Sequence, residues 1–422
     1  MIPEIERNDL DKRRITKKRN RIPERKEVRN MDDMTEFSGR MTRLQQAVED
    51  SGTDVFLVTG QESIYYMTGA SYKPLERPFF IIVWPDRASL LVPKLEQAHM
   101  SKARGFDQVE AYWEYPSKPG EGYMDKLAAM LADAKTVGIE PSCKAEVAAY
   151  LTGKTVRVLP LVETLRLVKS EAEVAAVRAA AKLADTGIAL MRGAAYPGVT
   201  PMEEFSVAKK LQTKVVMTGV YEPLECEFLT ACWPAPFSAQ PHSIPPLGER
   251  LGKGPAQMMC FLRVNGYAAE CERTVFVCPP SKEEAELFGH MTAAREAAFA
   301  LVRPGARAED VDAAARSYFE KYGLEKYMLH RVGHGIGMGN HEGPWISEGS
   351  PHVLAENMII SVEPGLYIPE IGGFRHSDTV LVTKDGYERL TTHPTSLEDV
   401  MIRGAKAGKR LKGALIRKMA KV

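Results

Sequence analysis

One pattern occurs twice in this sequence and limits the folds open to it. Residues 189–211 (ALMRGAAYPGVTPMEEFSVAKKL) and 300–319 (ALVRPGARAEDVDAAARSYF) each pass from the end of a helix through a Pro-Gly pair into a helix with an acidic start. The Pro-Gly pairs lie 107 residues apart. A module of helix, turn, helix and strand that is present twice predicts two related halves with a cleft between them.

The length of 422 residues is sufficient for two domains. Residues 34–165 alternate between short helical and strand-like segments, which predicts an α/β domain of modest size. Ser170 and Glu173 form a capping box in front of the longest helical segment. This helix opens a second domain over residues 166–396. Residues 1–33 and 397–422 are basic extensions at the two ends.

Charge is distributed unevenly along the chain. The first thirty residues carry 11 Lys and Arg against 6 Asp and Glu, and the last twenty carry 8 basic residues and no acidic ones. The remaining body has a net charge of −12. We interpret the two ends as solubilising or dimer-capping extensions, and we expect no nucleic-acid or membrane partner.

The cysteine usage and the lack of long apolar segments indicate a cellular compartment. The six cysteines include no C-x-x-C pair, which favours reduced thiols over a disulfide framework or a zinc knuckle. No apolar stretch is long enough to cross a bilayer, and the N-terminus lacks the apolar segment of a secretory signal. We therefore expect a cytoplasmic protein.

Residues 266–277 (GYAAECERTVFV) read as a strand that carries two carboxylates. Side chains alternate between the two faces of a strand, so Glu270 and Glu272 share one face and Cys271 lies on the other. Two buried carboxylates a few ångströms apart repel each other. They require a metal ion, a shared proton or a cationic ligand.

Other polar residues stand in Gly- or Pro-rich segments: His242, His334, His341 and Glu363. A single histidine of this kind is more often a hydrogen-bonded core residue than a functional one. As a set, together with the paired carboxylates, they predict a polar site in the cleft.

Two longer motifs carry a family resemblance. VGHGIGMGNHEGP and SVEPGLYIPEIGGFRHSDTVLVT resemble the pita-bread superfamily, which includes Xaa-Pro aminopeptidases, prolidases, methionine aminopeptidases and creatinase. The likeness extends over residues 35–396. It implies an α/β chain with a creatinase-type N-terminal domain, followed by a pita-bread α+β domain whose duplicated halves surround a curved antiparallel sheet.

The same resemblance bears on metal binding. Peptidases of the superfamily hold two metal ions with five ligands, which fall here at Met259, Glu270, His334, Glu363 and Ser377. A thioether and a hydroxyl thus replace two carboxylates, whereas hard divalent ions prefer anionic oxygen. We therefore expect the dinuclear site to be lost and no cofactor to be bound.

Creatinase, a metal-free member, provides the closest match among the site residues. It has a glutamate before Arg-Thr, as Glu272 stands here, and a histidine eighteen residues before Cys-Phe, as His242 stands here. The resemblance implies that His242 carries the proton and that Glu272 and Glu363 grip a guanidinium. Carboxylates bind such groups through paired, charge-assisted hydrogen bonds.

Creatinase also binds the substrate carboxylate with arginines, one of them from the neighbouring subunit. That arginine matches Arg77, which implies a homodimer, whereas the other position is occupied by Trp345. A tryptophan there can stack on a cation. The residues expected to bind substrate are Glu270, His334, His341, Arg77, Trp345 and Arg375.

These observations predict a metal-independent hydrolase that cleaves a C–N bond in a small cationic substrate, of amidine, guanidino or cyclic amidine type. Ectoine hydrolase, another metal-free relative, acts on a comparable group. One alternative is a metal-dependent Xaa-Pro peptidase in which Glu270, His334 and Glu363 hold a single zinc or manganese ion. A second alternative is a non-catalytic binding module.

Overall fold

A computed structural model of the chain describes residues 34–106, 109–114, 116–403 and 407–420. The predicted extension over residues 1–33 lies outside these ranges. The described residues fall into two compact units, the first ending at Leu167 and the second beginning at Val168. The boundary predicted from the sequence lies between residues 165 and 166.

The N-terminal unit is a mixed α/β layer structure. Its helices are α1 (Met34–Asp50), α2 (Gln61–Thr68), α3 (Gln97–Met100), α4 (Tyr123–Met130), α5 (Ala145–Tyr150) and α6 (Leu161–Arg166). Its strands are β1 (Val55–Val58), β2 (Phe80–Val83), β3 (Ala88–Pro93), β4 (Val109–Tyr112), β5 (Thr136–Ile139) and β6 (Thr155–Val158). They form one sheet in the order β4-β3-β2-β1-β5-β6. The central strands β1 and β2 are entirely buried, which explains their continuous apolar sequences.

The second unit contains most of the chain. Its helices are α7 (Glu171–Ala194), α8 (Pro201–Phe205), α9 (Val207–Val216), α10 (Lys282–Phe299), α11 (Ala308–Lys321), α12 (Leu397–Val400) and α13 (Ala407–Ala420). Its strands are β7 (Glu227–Trp233), β8 (Ala256–Val264), β9 (Tyr267–Val275), β10 (Gly333–Gly335), β11 (Glu342–Ile346), β12 (Ile359–Val362), β13 (Gly365–Ile368), β14 (Gly372–Arg375), β15 (Ser377–Thr383) and β16 (Gly386–Arg389).

An antiparallel sheet forms the centre of this unit. Its strands follow the order β11-β10-β12-β15-β9-β8-β7, with β16 paired to β15, while β13 and β14 form a separate hairpin. Strands β8 and β9 are joined by Asn265-Gly266, both at positive φ (48° and 78°), a turn that suits the twist of a hairpin. The register of this hairpin places Met259 opposite Glu272 and Phe261 opposite Glu270.

The duplicated halves expected from the sequence are confirmed by matching backbone contacts. Gly198 and Gly305 both adopt positive φ (92° and 84°), as glycine readily does. The Gly198 N–H donates to the Leu251 carbonyl at 2.7 Å, and the Gly305 N–H donates to the Leu354 carbonyl at 2.8 Å. Each leucine N–H returns a bond to the residue after its glycine. The two Pro-Gly turns are therefore structurally equivalent.

Helix α7 supports the sheet from one side. Ser170 and Glu173 form the predicted capping box at its start, and the helix packs against β8 and β9. Gly187 lies at the closest approach, where a β-carbon would collide with the Cys260 side chain. Burial of this helix fixes the position of the strand pair that carries the carboxylates.

The basic C-terminal segment forms helix α13 and contacts the body of its unit. Arg417 donates hydrogen bonds to Glu203 at 2.5 Å and to the Tyr196 hydroxyl at 3.1 Å. At Gly413 the helix is so close to these two side chains that a β-carbon would collide with both. Within the described residues, no helix has the length and apolarity needed to cross a membrane.

Candidate active site

A cavity of about 520 Å³ opens on one face of the large sheet. The sequence-predicted residues His242, Glu270, Glu272, His334, His341, Glu363 and Arg375 all line it. They come from both repeats. Strand β9 and the loop before β8 belong to the first repeat, and the remaining residues lie on or next to β10, β11, β12 and β14 of the second. The structure thus brings together seven of the nine predicted site residues.

Strand β9 presents its two carboxylates to the cavity. Glu270 and Glu272 are 6% and 3% exposed, and Cys271 between them is buried on the opposite face. Ser377 on the adjacent strand β15 donates a hydrogen bond of 2.7 Å from Oγ to Glu270 Oε1. Burial and the nearby Glu363 raise the pKa of Glu270 to about 8. The position therefore strongly favours a neutralising proton or cation.

Glu272 is already neutralised by an arginine. The Arg375 Nε donates to Glu272 Oε2, and the Arg375 Nη1 donates to the Tyr367 hydroxyl at 2.7 Å. Arg375 Nε also lies 3.9 Å from Glu363 Oε2. Burial raises the pKa of Glu272, and Arg375 opposes that effect. This carboxylate is consequently part of a buried ion pair and is not open to a cationic substrate.

His334 stands at the centre of the acidic residues. Its Nε2 lies 3.0 Å from Glu363 Oε1 and 3.7 Å from Glu270 Oε1, whereas its Nδ1 lies 3.1 Å from the Gly335 carbonyl oxygen. Burial alone lowers the pKa of the imidazole, but the two carboxylates raise it to about 9. Negative charge at this point is thus strong enough to hold a proton or another cation.

Glycines determine the backbone around His334. A β-carbon at Gly333 would collide with the Ser361 carbonyl, and one at Gly335 would collide with the Gly343 carbonyl. Close strand approach therefore explains the glycine-rich sequence here. It contains strand β10, which pairs with β11 and β12.

Three further histidines face the cavity. His341 stacks on His334 with ring centroids 3.9 Å apart, and burial together with the charge of His334 lowers its pKa to about 4. His242 lies on the loop before β8, which is tied down where Trp233 Nε1 donates to the Ser243 carbonyl at 2.8 Å. His330 lies 2.7 Å from the Tyr367 hydroxyl through Nε2, and burial lowers its pKa.

Two predicted site residues do not line the cavity. Arg77 is ion-paired with Glu76 at 3.3 Å and with Glu114, all within the N-terminal unit. Trp345 is 38% exposed on β11, opposite His334 in register, and the Arg331 guanidinium stacks over its ring at 4.6 Å. Trp345 therefore contacts a neighbouring side chain of the protein instead of the cavity.

The donors present are suitable for one divalent ion. Ligand atoms of Glu270, His334 and His341 all lie within 4.8 Å of one another, and Glu363 is a further oxygen donor beside His334. His334 Nε2 is buried and forms no well-directed hydrogen bond with any described residue. Its Nδ1–H is oriented toward the Gly335 carbonyl, so Nε2 is the nitrogen that can exchange its proton for a metal ion. Mixed imidazole and carboxylate donors suit zinc or manganese.

The pita-bread likeness is supported by comparison with known proteins. Residues 175–384 match the sequence profile of Metallopeptidase family M24, and residues 40–168 match that of the Creatinase/Prolidase N-terminal domain. An Xaa-Pro dipeptidase of Lactobacillus helveticus is 32% identical over 377 residues, which cover 86% of this chain and 99% of that relative. The chain belongs to metallopeptidase family M24.

Other relatives agree with this assignment. An Xaa-Pro dipeptidase of Pyrococcus horikoshii is 30% identical over 368 residues, covering 86% of this chain and 98% of that protein. The crystal structure of the prolidase from the same organism superposes with a TM-score of 0.73 at 27% identity, covering 85% and 99% of the two chains. Dipeptidase PepE from Mycobacterium ulcerans gives a TM-score of 0.75 at 27% identity, covering 88% and 99%. The M24 chain is accordingly a hydrolase of the Xaa-Pro peptidase family.

The family assignment corrects two expectations. The metal-independent amidinohydrolase and the absence of a cofactor are both wrong, because the matching family is a metallopeptidase family and its relatives here are Xaa-Pro dipeptidases. Met259 and Ser377 have a smaller effect on metal binding than we expected. Their loss removes two donors, but Glu270, His334, His341 and Glu363 remain together.

Some lining residues were missed by sequence reasoning. Leu229, Trp233 and Phe261 form an apolar part of the wall, and His330 and Arg331 lie beside it. The residues His330 and Arg331 directly precede the recognised glycine motif, so that motif could have been extended to include them. Nothing in the sequence distinguishes the three apolar residues as site residues, because each lies in an ordinary hydrophobic strand.

Proposed function

We propose that this M24 chain is a metal-dependent peptidase that cleaves the peptide bond before a prolyl residue, with one divalent ion per site. The observation that carries the proposal is the buried His334 Nε2, which faces Glu270 and Glu363 without a well-directed hydrogen bond among the described residues. The relatives, which are named as Xaa-Pro dipeptidases, supply the substrate class.

Glu270 and His334 would hold the ion, with His341 or Glu363 as the third ligand. When bound, the ion supplies Lewis-acid polarisation of the scissile carbonyl. Ser377 supports Glu270 through its hydrogen bond, and the Gly335 carbonyl fixes the ring of His334. Ligands held by such outer contacts are oriented before binding.

The remaining cavity residues bind and orient the peptide. Leu229, Trp233 and Phe261 offer apolar surface suited to a pyrrolidine ring. Where Glu363 is the third ligand, the His341 imidazole, whose pKa is lowered to about 4 by burial and the charge of His334, can accept a hydrogen bond from the peptide.

A chain of hydrogen bonds connects two residues that line the cavity, Arg375 and His330, through the Tyr367 hydroxyl. Arg375 donates to the Tyr367 hydroxyl, whose O–H is directed at His330 Nε2, and His330 Nδ1 lies 2.6 Å from the Arg331 carbonyl. His330 is thereby fixed as the Nδ1–H tautomer and positions its neighbours.

The proposal also includes a homodimer, to which the partner subunit lends its Arg77, and a small-molecule peptide as substrate. A cytoplasmic location is supported by six cysteines that are all free thiols. We propose no nucleic-acid or membrane partner.

The test is reconstitution after removal of metal by a chelator. The wild type, His334→Asn and the control His352→Asn, which lies outside the cavity, are each loaded with Mn²⁺, Zn²⁺ or Co²⁺ and supplied with Leu-Pro and Leu-Ala. We expect ion-dependent release of leucine from Leu-Pro in the wild type and the control, and none in His334→Asn. Ion binding without hydrolysis of either peptide would contradict the proposal and favour a binding module.

A further inference from the structure

The cavity contains two arginines, and only one of them is paired with a carboxylate. Arg375 is ion-paired with Glu272 and also bonded to Tyr367. Arg331 forms no ion pair with any described carboxylate. Its Nε donates to the Gly333 carbonyl at 3.1 Å, and its guanidinium lies over the Trp345 ring at 4.6 Å. Arg331 is therefore held in place while its charge is unneutralised.

Arg331 lies close to the expected metal ligands. It precedes His334 by three residues, and Trp345 beneath it is paired directly with His334 across β10 and β11. Directly opposed residues of antiparallel strands project to the same face. Arg331, His334 and His341 all line the same cavity. The guanidinium thus stands beside the reacting end of the cavity.

The contacts that hold Arg331 in place leave its two Nη groups available to a ligand. One planar face is covered by Trp345, and Nε is used by Gly333. The two Nη groups retain N–H donors in the fork geometry that matches a carboxylate. Stacking also removes much of the side chain's freedom, which reduces the entropy lost on binding.

We propose that Arg331, stacked on Trp345, forms a carboxylate subsite that selects peptides ending at the prolyl residue, namely Xaa-Pro dipeptides. The inference rests on the proposed function, which it narrows from peptides in general to dipeptides. The family resemblance had placed one carboxylate-binding arginine at position 345, where this chain has a tryptophan. Arg331 supplies the cation from the adjacent loop, and Trp345 positions it.

The test compares Leu-Pro with its C-terminal amide, Leu-prolinamide, in the metal-loaded enzyme. The variants are Arg331→Met, Arg331→Lys and the control Arg303→Met, which alters an exposed arginine. We expect Arg331→Met to lower kcat/KM for Leu-Pro roughly 10- to 100-fold, mainly through KM, because a charge-assisted hydrogen bond is lost. Leu-prolinamide hydrolysis should be unchanged, Arg331→Lys should recover part of the loss, and Arg303→Met should match the wild type.

If Arg331→Met lowers kcat/KM equally for both substrates, or does not lower it for Leu-Pro, the proposed subsite is wrong. If the wild type hydrolyses neither peptide, the proposed function fails on its own, and calorimetry then decides about Arg331. Preferential binding of N-acetylproline over N-acetylprolinamide by the wild type, lost in Arg331→Met, supports the subsite. Equal binding of the two probes, or binding of neither, overturns it.

Discussion

Ser377 Oγ donates a hydrogen bond of 2.7 Å to Glu270 Oε1 from the neighbouring strand. The pita-bread resemblance places two carboxylate ligands of the two-metal peptidases at the positions of Ser377 and Met259. The hydroxyl keeps Glu270 oriented but contributes no negative charge. The site therefore has two carboxylates fewer than the two-metal ligand set that the resemblance implies.

This difference predicts the metal content of the protein. The wild type should bind one divalent ion per chain, and Met259→Asp combined with Ser377→Glu should bind two, because both missing carboxylates return. Elemental analysis after dialysis measures the ratio. Ser377→Ala serves as the control and should still bind one ion; two ions per wild-type chain would contradict the prediction.

The ion pair between Glu272 and Arg375 should protect the metal ligands. Arg375 Nε lies 3.9 Å from Glu363 Oε2 and is held away from it by Glu272. In Glu272→Gln the arginine loses its charged partner, so it should move toward Glu363 and compete with the ion. We expect the Kd for Mn²⁺ to rise about tenfold, a cost of roughly 1.4 kcal/mol, measured by calorimetry. The comparison is Gln257→Ala, which removes an uncharged 3.5 Å contact to Glu272 together with bonds to the Arg375 carbonyl and the Thr274 hydroxyl, but leaves the ion pair in place. An equal rise in both variants would argue against this role.

A buried cluster behind the site should dominate stability. Asp378 accepts from Arg273 at 2.7 Å and from Arg389 at 2.8 Å, and it also pairs with Arg295. Asp378, Arg273 and Arg295 are fully buried. Asp378→Asn leaves two buried cations without their counter-charge, so unfolding should become easier by about 3–5 kcal/mol. Denaturant titration measures the change, and Asp385→Asn on an exposed turn should have little effect.

The same cluster predicts a pH dependence of stability. Burial alone raises the pKa of Asp378, but the three arginines hold it well below the usual value near 4. A group with a lowered folded pKa stabilises the native state above its unfolded pKa and loses that contribution as pH falls. The stability difference between the wild type and Asp378→Asn should therefore be constant above about pH 5 and shrink at lower pH. A difference that grows on acidification would contradict the assignment.

The close contact at Gly413 predicts the behaviour of helix α13. In Gly413→Ala the new methyl group would displace the terminal oxygens of Glu203 and Tyr196, which weakens their bonds to Arg417, so trypsin should cleave the helix faster. Gly408→Ala is a matched control, because no atom lies within 4 Å of a β-carbon there. Helix propensity alone makes the control stabilising by up to about 1 kcal/mol. Equal cleavage of the two variants would show that α13 is not held by this contact.

The proposed role of Arg77 can be tested by mixing subunits. Arg77→Ala and His334→Ala homodimers should each be inactive. A mixed dimer has one site with intact metal ligands that also receives Arg77 from its partner, so mixing should restore part of the activity. Activity that stays at the level of the parents after subunit exchange, or a monomeric active enzyme, would rule out the shared arginine. Arg87→Ala, at another exposed position of the same unit, is the control for nonspecific loss.

The sequence was sufficient to predict the fold and most of the candidate site. The repeated Pro-Gly turns predicted the duplicated halves, and the alternation in β9 placed Glu270 and Glu272 on one face, where both line the cavity. Their chemical states could not be predicted, because Glu272 is neutralised by Arg375 from a distant hairpin whereas Glu270 is not. Trp345 was expected to contact the ligand, but its ring contacts Arg331. No local sequence pattern predicts this contact, because the two residues lie in different segments.

The duplicated halves divide the chemistry between them. Glu270 lies in the first repeat, whereas His334, His341 and Glu363 lie in the second. A polypeptide severed in the segment between β9 and α10 would yield two pieces, each lacking part of the coordination set. Recovered peptidase activity would then measure directly how much of the two fragments has reassociated. The duplicated fold thus makes the chain suited to a fragment-complementation assay.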